Sequence, residues 1–169
     1  MTSALLVAGG GFLLAVLWMD LMFDVQVLRH GQRAELPEPV LASIAAYYRR
    51  VTTTARPMGH LVGAIMVSTL IALAVQVAAG GEPRWVGLAS LPLACGPILL
   101  AFVRVLPNAV RLGARSDPPA RQSALARSIC RDHLLCFGGI LGFVVLQLCG
   151  ARGWVGEPDR MRAIFPWSF

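Results

Sequence analysis

The chain has 169 residues, of which 56% are hydrophobic and only 14% charged, and its mean hydropathy is +0.65. A soluble domain carries about 25% charged residues, so the composition sets an ordinary soluble fold aside and points to an all-α integral membrane protein. The net charge of +6 comes from 15 arginines and no lysine; positive loops beside a bilayer account for it, and with no stacking aromatics or recognition module beside the arginines no nucleic-acid partner is expected.

The first residues, Met1 to Ala4, lack the positive start of a signal peptide, and no small-x-small cleavage site precedes Asp20. The first apolar run, about 4–28, is therefore read as a retained span. Two carboxylates interrupt it. Asp20 and Asp24 stand one helical turn apart and share a face, and ionisable groups at membrane depth turn toward a protein interior or a water-filled cavity. The loop that follows holds Arg29, Arg33, Arg49, Arg50 and Arg56. Inside it, Pro37-Glu38-Pro39 opens a stretch with Val40, Leu41, Ile44 and Tyr48 at helical spacing, closed by Tyr47-Tyr48-Arg49-Arg50. This predicts a short amphipathic helix lying at the interface.

The second span, about 57–79, begins with Gly59 and Gly63, a pattern that permits close helix approach, and His60 neighbours that face. A short, nearly neutral turn leads to the third span, about 86–106, where Pro92 and Pro97 predict a bend. That span exits through Arg104, Asn108 and Arg111, which share a face. Ser116-Asp117-Pro118-Pro119 restarts a helix from about 118 to 148, longer than a bilayer core, with 129–148 as its embedded part. Its entry carries Arg127, Arg131, Asp132 and His133. Adjacent helical residues diverge by about 100°, and Phe137 and Ile140 extend the face of His133, which is therefore expected inward. Gly138 and Gly142 form a second close-approach pair. The tail 154–169, with Trp154, Phe165, Trp167 and Phe169, reads as an aromatic anchor on the outer face. Cys95, Cys130, Cys136 and Cys149 lack paired spacing and read as small buried hydrophobes.

Arginine sets the expected orientation. The loops after the first and third spans are arginine-rich and belong in the cytoplasm, which places both termini outside, as in a bacterial inner-membrane protein. All four spans then bring ionisable groups to one layer near the cytoplasmic side. Three uses of that layer are open. The carboxylates can pair with Arg56, Arg104 or Arg131 and fix helix register. A pocket of Asp20, Asp24, Arg56, Arg104, Asn108 and Arg131 can bind an anionic or polar ligand such as a lipid headgroup, a quinone or a small metabolite. His60 and His133, with the two aspartates, can hold a divalent metal or haem, although neither ExxH nor HxxxH occurs. The expected protein is thus a single transmembrane domain over 1–169, a four-helix bundle with an interfacial helix between spans one and two. Its cytoplasmic-side pocket binds a polar ligand or metal, with redox or hydrolytic chemistry left open. The alternative is a non-catalytic accessory or assembly subunit, with Gly59/Gly63 and Gly138/Gly142 as faces for other membrane subunits or a second copy. Lipid is the partner in both.

Overall fold

Apolar runs with few breakers satisfy their own backbone as helix, and nearly all of the described residues do so. The structure, a computed structural model, describes residues 2–31, 33–80 and 83–151. Helix α1 covers Thr2–Asp24 and continues as a 3-10 turn over Val25–His30. It is followed by α2 (Glu38–Thr53), α3 (Arg56–Ala79), α4 (Arg84–Leu100), α5 (Leu106–Ala114) and α6 (Pro119–Ala151). No strand occurs among the described residues. Four helical stretches, Thr2–His30, Arg56–Ala79, Arg84–Ala114 and Pro119–Gly150, are long and apolar enough to cross a membrane. They contain the four expected spans. The tail 154–169 lies outside the described residues.

Local signals act at the helix ends. Proline sits in the first turn of both α2 and α3, where its missing N–H costs no hydrogen bond. Gly80 ends α3 with a left-handed φ of 65°, which a residue without Cβ adopts freely. Pro92 and Pro97 do not end α4. The chain carries through them, and a π-helical turn over Ala101–Val105 joins α4 to α5. Pro97 leaves the Leu93 carbonyl without its intrahelical donor, and there α6 comes close: a Cβ on Gly139 would lie 2.6 Å from Pro97 Cγ and 3.3 Å from the Leu93 carbonyl oxygen.

The long helices pack in pairs, α6 on α1 and α4, α1 on α3, and α3 on α4. Glycine use within the chain differs from the expectation. Gly139 and Gly142 face α4, whereas Gly138 faces open space; Gly59 and Gly63 touch no other helix. Spacing identifies a small-residue stripe, but helix rotation decides what it meets.

Two apolar cores result. One joins Leu6 and Leu13 of α1, Leu73 of α3, Ala94 of α4 and Ile140 and Phe143 of α6. The other joins Leu41 and Ile44 of α2, Leu112 of α5 and Ile129 of α6. Helix α2 reaches the second core because Leu41, Ile44, Ala45 and Tyr48 recur on one buried stripe. Its backbone lies so close to α5 that a Cβ on Gly113 would stand 2.8 Å from the Arg49 nitrogen. Polar ties hold the preceding loop and the start of α2: the Leu36 N–H donates to Ser123 Oγ at 3.0 Å, and Arg115 pairs with Glu38 at 2.8 Å. The expected interfacial helix is therefore a packed element that fixes its own side chains against α5 and α6.

Candidate functional site

Where the two cores meet, polar side chains from three helices converge. Helix α1 presents Asp20 and Asp24 on one face, α6 presents His133, and α2 presents the adjacent phenols Tyr47 and Tyr48. His133 Nδ1 lies 2.6 Å from Asp24 Oδ2. Tyr48 donates to Asp24 Oδ1 at 2.6 Å, so the fully buried Asp24 carboxylate accepts at both oxygens. Tyr47 donates to Asp20 Oδ1 at 2.5 Å, and Asp20 Oδ2 stands 3.8 Å from His133 Nε2. The Tyr47 ring stacks on Phe23 with centroids 4.1 Å apart. Neighbouring residues of α2 thus serve neighbouring turns of α1, one phenol to each carboxylate.

Burial first, and then the Asp20 charge and hydrogen bond, push the Tyr47 phenol well above the ordinary tyrosine range. Burial and Asp24 do the same to Tyr48. Both phenols stay protonated at neutral pH and act as donors. With Nδ1–H committed to Asp24, the imidazole is oriented and its Nε2 is turned toward Asp20.

The cluster forms the polar end of a groove of about 500 Å³. Its walls are apolar: Leu13 and Leu17 of α1, Val62 and Met66 of α3, Phe102 of the π-helical turn and Ile140 of α6. Gly59 and Gly63 line it too, and their missing side chains leave it open. Several rim residues, among them Met19, Met58, Gly59 and Phe102, are exposed, so the groove opens onto the outer surface of the helices. Asp20, Tyr47, Tyr48 and His133 line it, while Asp24 stands behind them.

Asp132 is also buried, but on the other flank of α6. It meets Arg104 at 3.4 Å, Arg131 at 3.7 Å and the Ser128 hydroxyl at 3.4 Å. The 100° between Asp132 and His133 sends each to its own partners.

Of the residues singled out from sequence, the structure brings Asp20, Asp24 and His133 together. Arg104 and Arg131 gather at Asp132 instead. Arg56 is exposed at the start of α3 and makes no ion pair among the described residues, and Asn108 is half-buried on α5 without a side-chain hydrogen bond there. His60 is exposed. Its neighbour Gly59 lines the groove and His60 does not, so the two histidines do not converge. Among the described residues no group of three or more His, Cys, Asp or Glu side chains is arranged to hold a metal ion. Tyr47 and Tyr48, expected only as interfacial residues, hydrogen-bond the two carboxylates. The signal was present: Tyr48 falls on the buried stripe of α2, and a buried phenol needs a hydrogen-bond partner. All four cysteines are free thiols.

Compared with known proteins, the chain matches no family model, no curated protein and no solved structure.

Proposed function

We propose that the chain is a multi-pass membrane protein that binds a small amphiphile in the groove, its apolar body against α1, α3 and the π-helical turn and its polar head at Asp20, Tyr47, Tyr48 and His133. The observation that carries this is the groove's polarity, apolar along its walls and ionisable at one end. Ligand sites commonly combine an apolar lining with a few convergent polar groups. Membrane residence is supported by the four long apolar helices and by large exposed side chains such as Trp18, Leu61, Ile71, Leu99 and Leu135, a surface that lipid satisfies and water does not. In this reading the arginine-rich segments face the cytoplasm, both termini face outward, and the cluster lies toward the inner leaflet. A head placed at His133 can exchange a proton with Nε2, because Asp24 and Tyr48 hold the ring in place.

The test is photolabelling of the protein in lipid nanodiscs with an amphiphile that carries a photoreactive chain. Labels should fall on groove residues such as Met58, Met66 and Phe102. Gly63→Trp, which fills the groove from a position with open space around it, should remove the labels while leaving the fold intact. Labelling confined to the outer faces of the helices, unchanged by Gly63→Trp, would sink the proposal. A reporter fused after Phe169 should be active only outside the cytoplasm; activity inside would reverse the orientation.

A further inference from the structure

The charges at the polar end of the groove do not balance. Asp20 and Asp24 contribute two carboxylates, and His133 contributes at most one positive charge. Its Nδ1 is committed to Asp24 at 2.6 Å and its Nε2 stands 3.8 Å from Asp20. The phenols of Tyr47 and Tyr48 donate hydrogen bonds but carry no charge. Among the described residues no arginine lines the groove: Arg104 and Arg131 are engaged by Asp132 on the other flank of α6. Of the other elements around it, α3 and the π-helical turn contribute no charged side chain to the lining, and Cys136 of α6 turns its thiol to the Pro97 carbonyl. The cluster is therefore one positive charge short. In a poorly solvated site an unpaired carboxylate is costly, and a proton or a bound cation makes up the deficit.

We propose that the occupant of the groove is a lipophilic cation, an amine or quaternary group on an apolar body, and that it competes with a proton at the Asp20 end of the cluster, so that one proton leaves to water for each cation that binds. This deepens the amphiphile-binding reading and rests on it. Tyr47, Tyr48 and Phe102 line the same space, and aromatic faces favour a cation further. The acceptor-rich end disfavours an anionic head, which the sequence alone left open. Asp24, held by both Tyr48 and His133, positions the imidazole; Asp20, beside the groove, meets the ligand.

The experiment is calorimetry on the full chain in zwitterionic nanodiscs. The probes are tetraphenylphosphonium, its isosteric anion tetraphenylborate, and a neutral long-chain alcohol, each titrated in two buffers of different ionisation enthalpy. The cation should bind more tightly than the anion by at least about tenfold. It should release about one proton, with affinity rising up to about tenfold per pH unit across the window of exchange. Asp20→Asn should bind the cation about tenfold more weakly, with no proton release and no pH dependence, yet still bind the alcohol, which shows that its groove is intact. If cation and anion bind alike, or the cation binds without proton release, and Gly63→Trp still abolishes binding, the exchange proposal is overturned and the groove reading stands. If none of the three probes binds the wild type, both are overturned.

Discussion

Two of the buried polar centres on helix α6 are of opposite design. Toward its C-terminal part, Gln147 and Gln76 of α3 exchange hydrogen bonds at 3.0 and 3.2 Å, and Gln147 Nε2 also donates to Ser90 Oγ of α4 at 2.9 Å. Donors meet acceptors, no member is charged, and each side chain is almost wholly buried. Toward its N-terminal part, His133 joins two carboxylates and two phenols beside an open groove. The amide centre is closed and neutral. It fixes how α3, α4 and α6 pair, because moving one helix would strand its partners. The aspartate centre is charged and unbalanced, a poor way to fix register and a good way to recognise a ligand. Both are buried polar clusters, so burial alone does not mark function. Net charge and access to space are what set the proposed ligand site apart.

The largest expected effect is at Asp24. Asp24→Ala leaves His133 and Tyr48 without their shared acceptor and should destabilise the protein by about 3–5 kcal/mol, read as a loss of unfolding free energy in detergent. Asp20→Asn, at the groove edge, should cost far less stability while weakening cation binding about tenfold. Equal stability losses for the two would erase the division between positioning and recognition. Next comes the amide centre. Gln147→Leu strands Gln76 and Ser90 and should cost about 1–3 kcal/mol, whereas the double change Gln76→Leu, Gln147→Leu should recover part of that, since removing both partners is cheaper than removing one. Neither variant should alter groove binding; if either does, the two centres are coupled. The smallest effect is at Tyr47. Tyr47→Phe removes one hydrogen bond at a half-exposed position and should cost about 1 kcal/mol.

Tyr47 also gives the comparison a pH signature. The folded protein holds Tyr47 and Tyr48 above their ordinary range. Their contribution to stability is therefore complete below the unfolded value, about 10, and is lost as pH rises from there toward the folded values. Thermal unfolding followed from about pH 9 to 11 should show wild type losing stability and Tyr47→Phe losing less of it. The amide centre titrates nowhere in that window. A profile that Tyr47→Phe leaves unchanged would mean the phenol is not held by Asp20.

Length and hydropathy were enough to read four apolar helices, because a helix long enough to cross a bilayer is a local property of about 20 consecutive residues. The patterned stretch before Tyr48 likewise announced α2, since its stripe is a matter of spacing alone. The shared face of Asp20 and Asp24 also follows from the helical period. The partners of that face do not, because they depend on how separate helices rotate and how deep each lies. That is why His133 could be nominated beside Asp24 while His60, one residue from a groove-lining glycine, turned out exposed. The arginines were legible as loop charge, but their capture by Asp132 rather than Asp20 was set by the rotation of α6. Gly59 and Gly63 were legible as a small-residue stripe, yet only the packing of α1, α3 and α4 decided that the stripe faces a groove and not another helix. Local periodicity writes the elements and their faces; contacts between residues as distant in sequence as Asp24 and His133 require the folded chain.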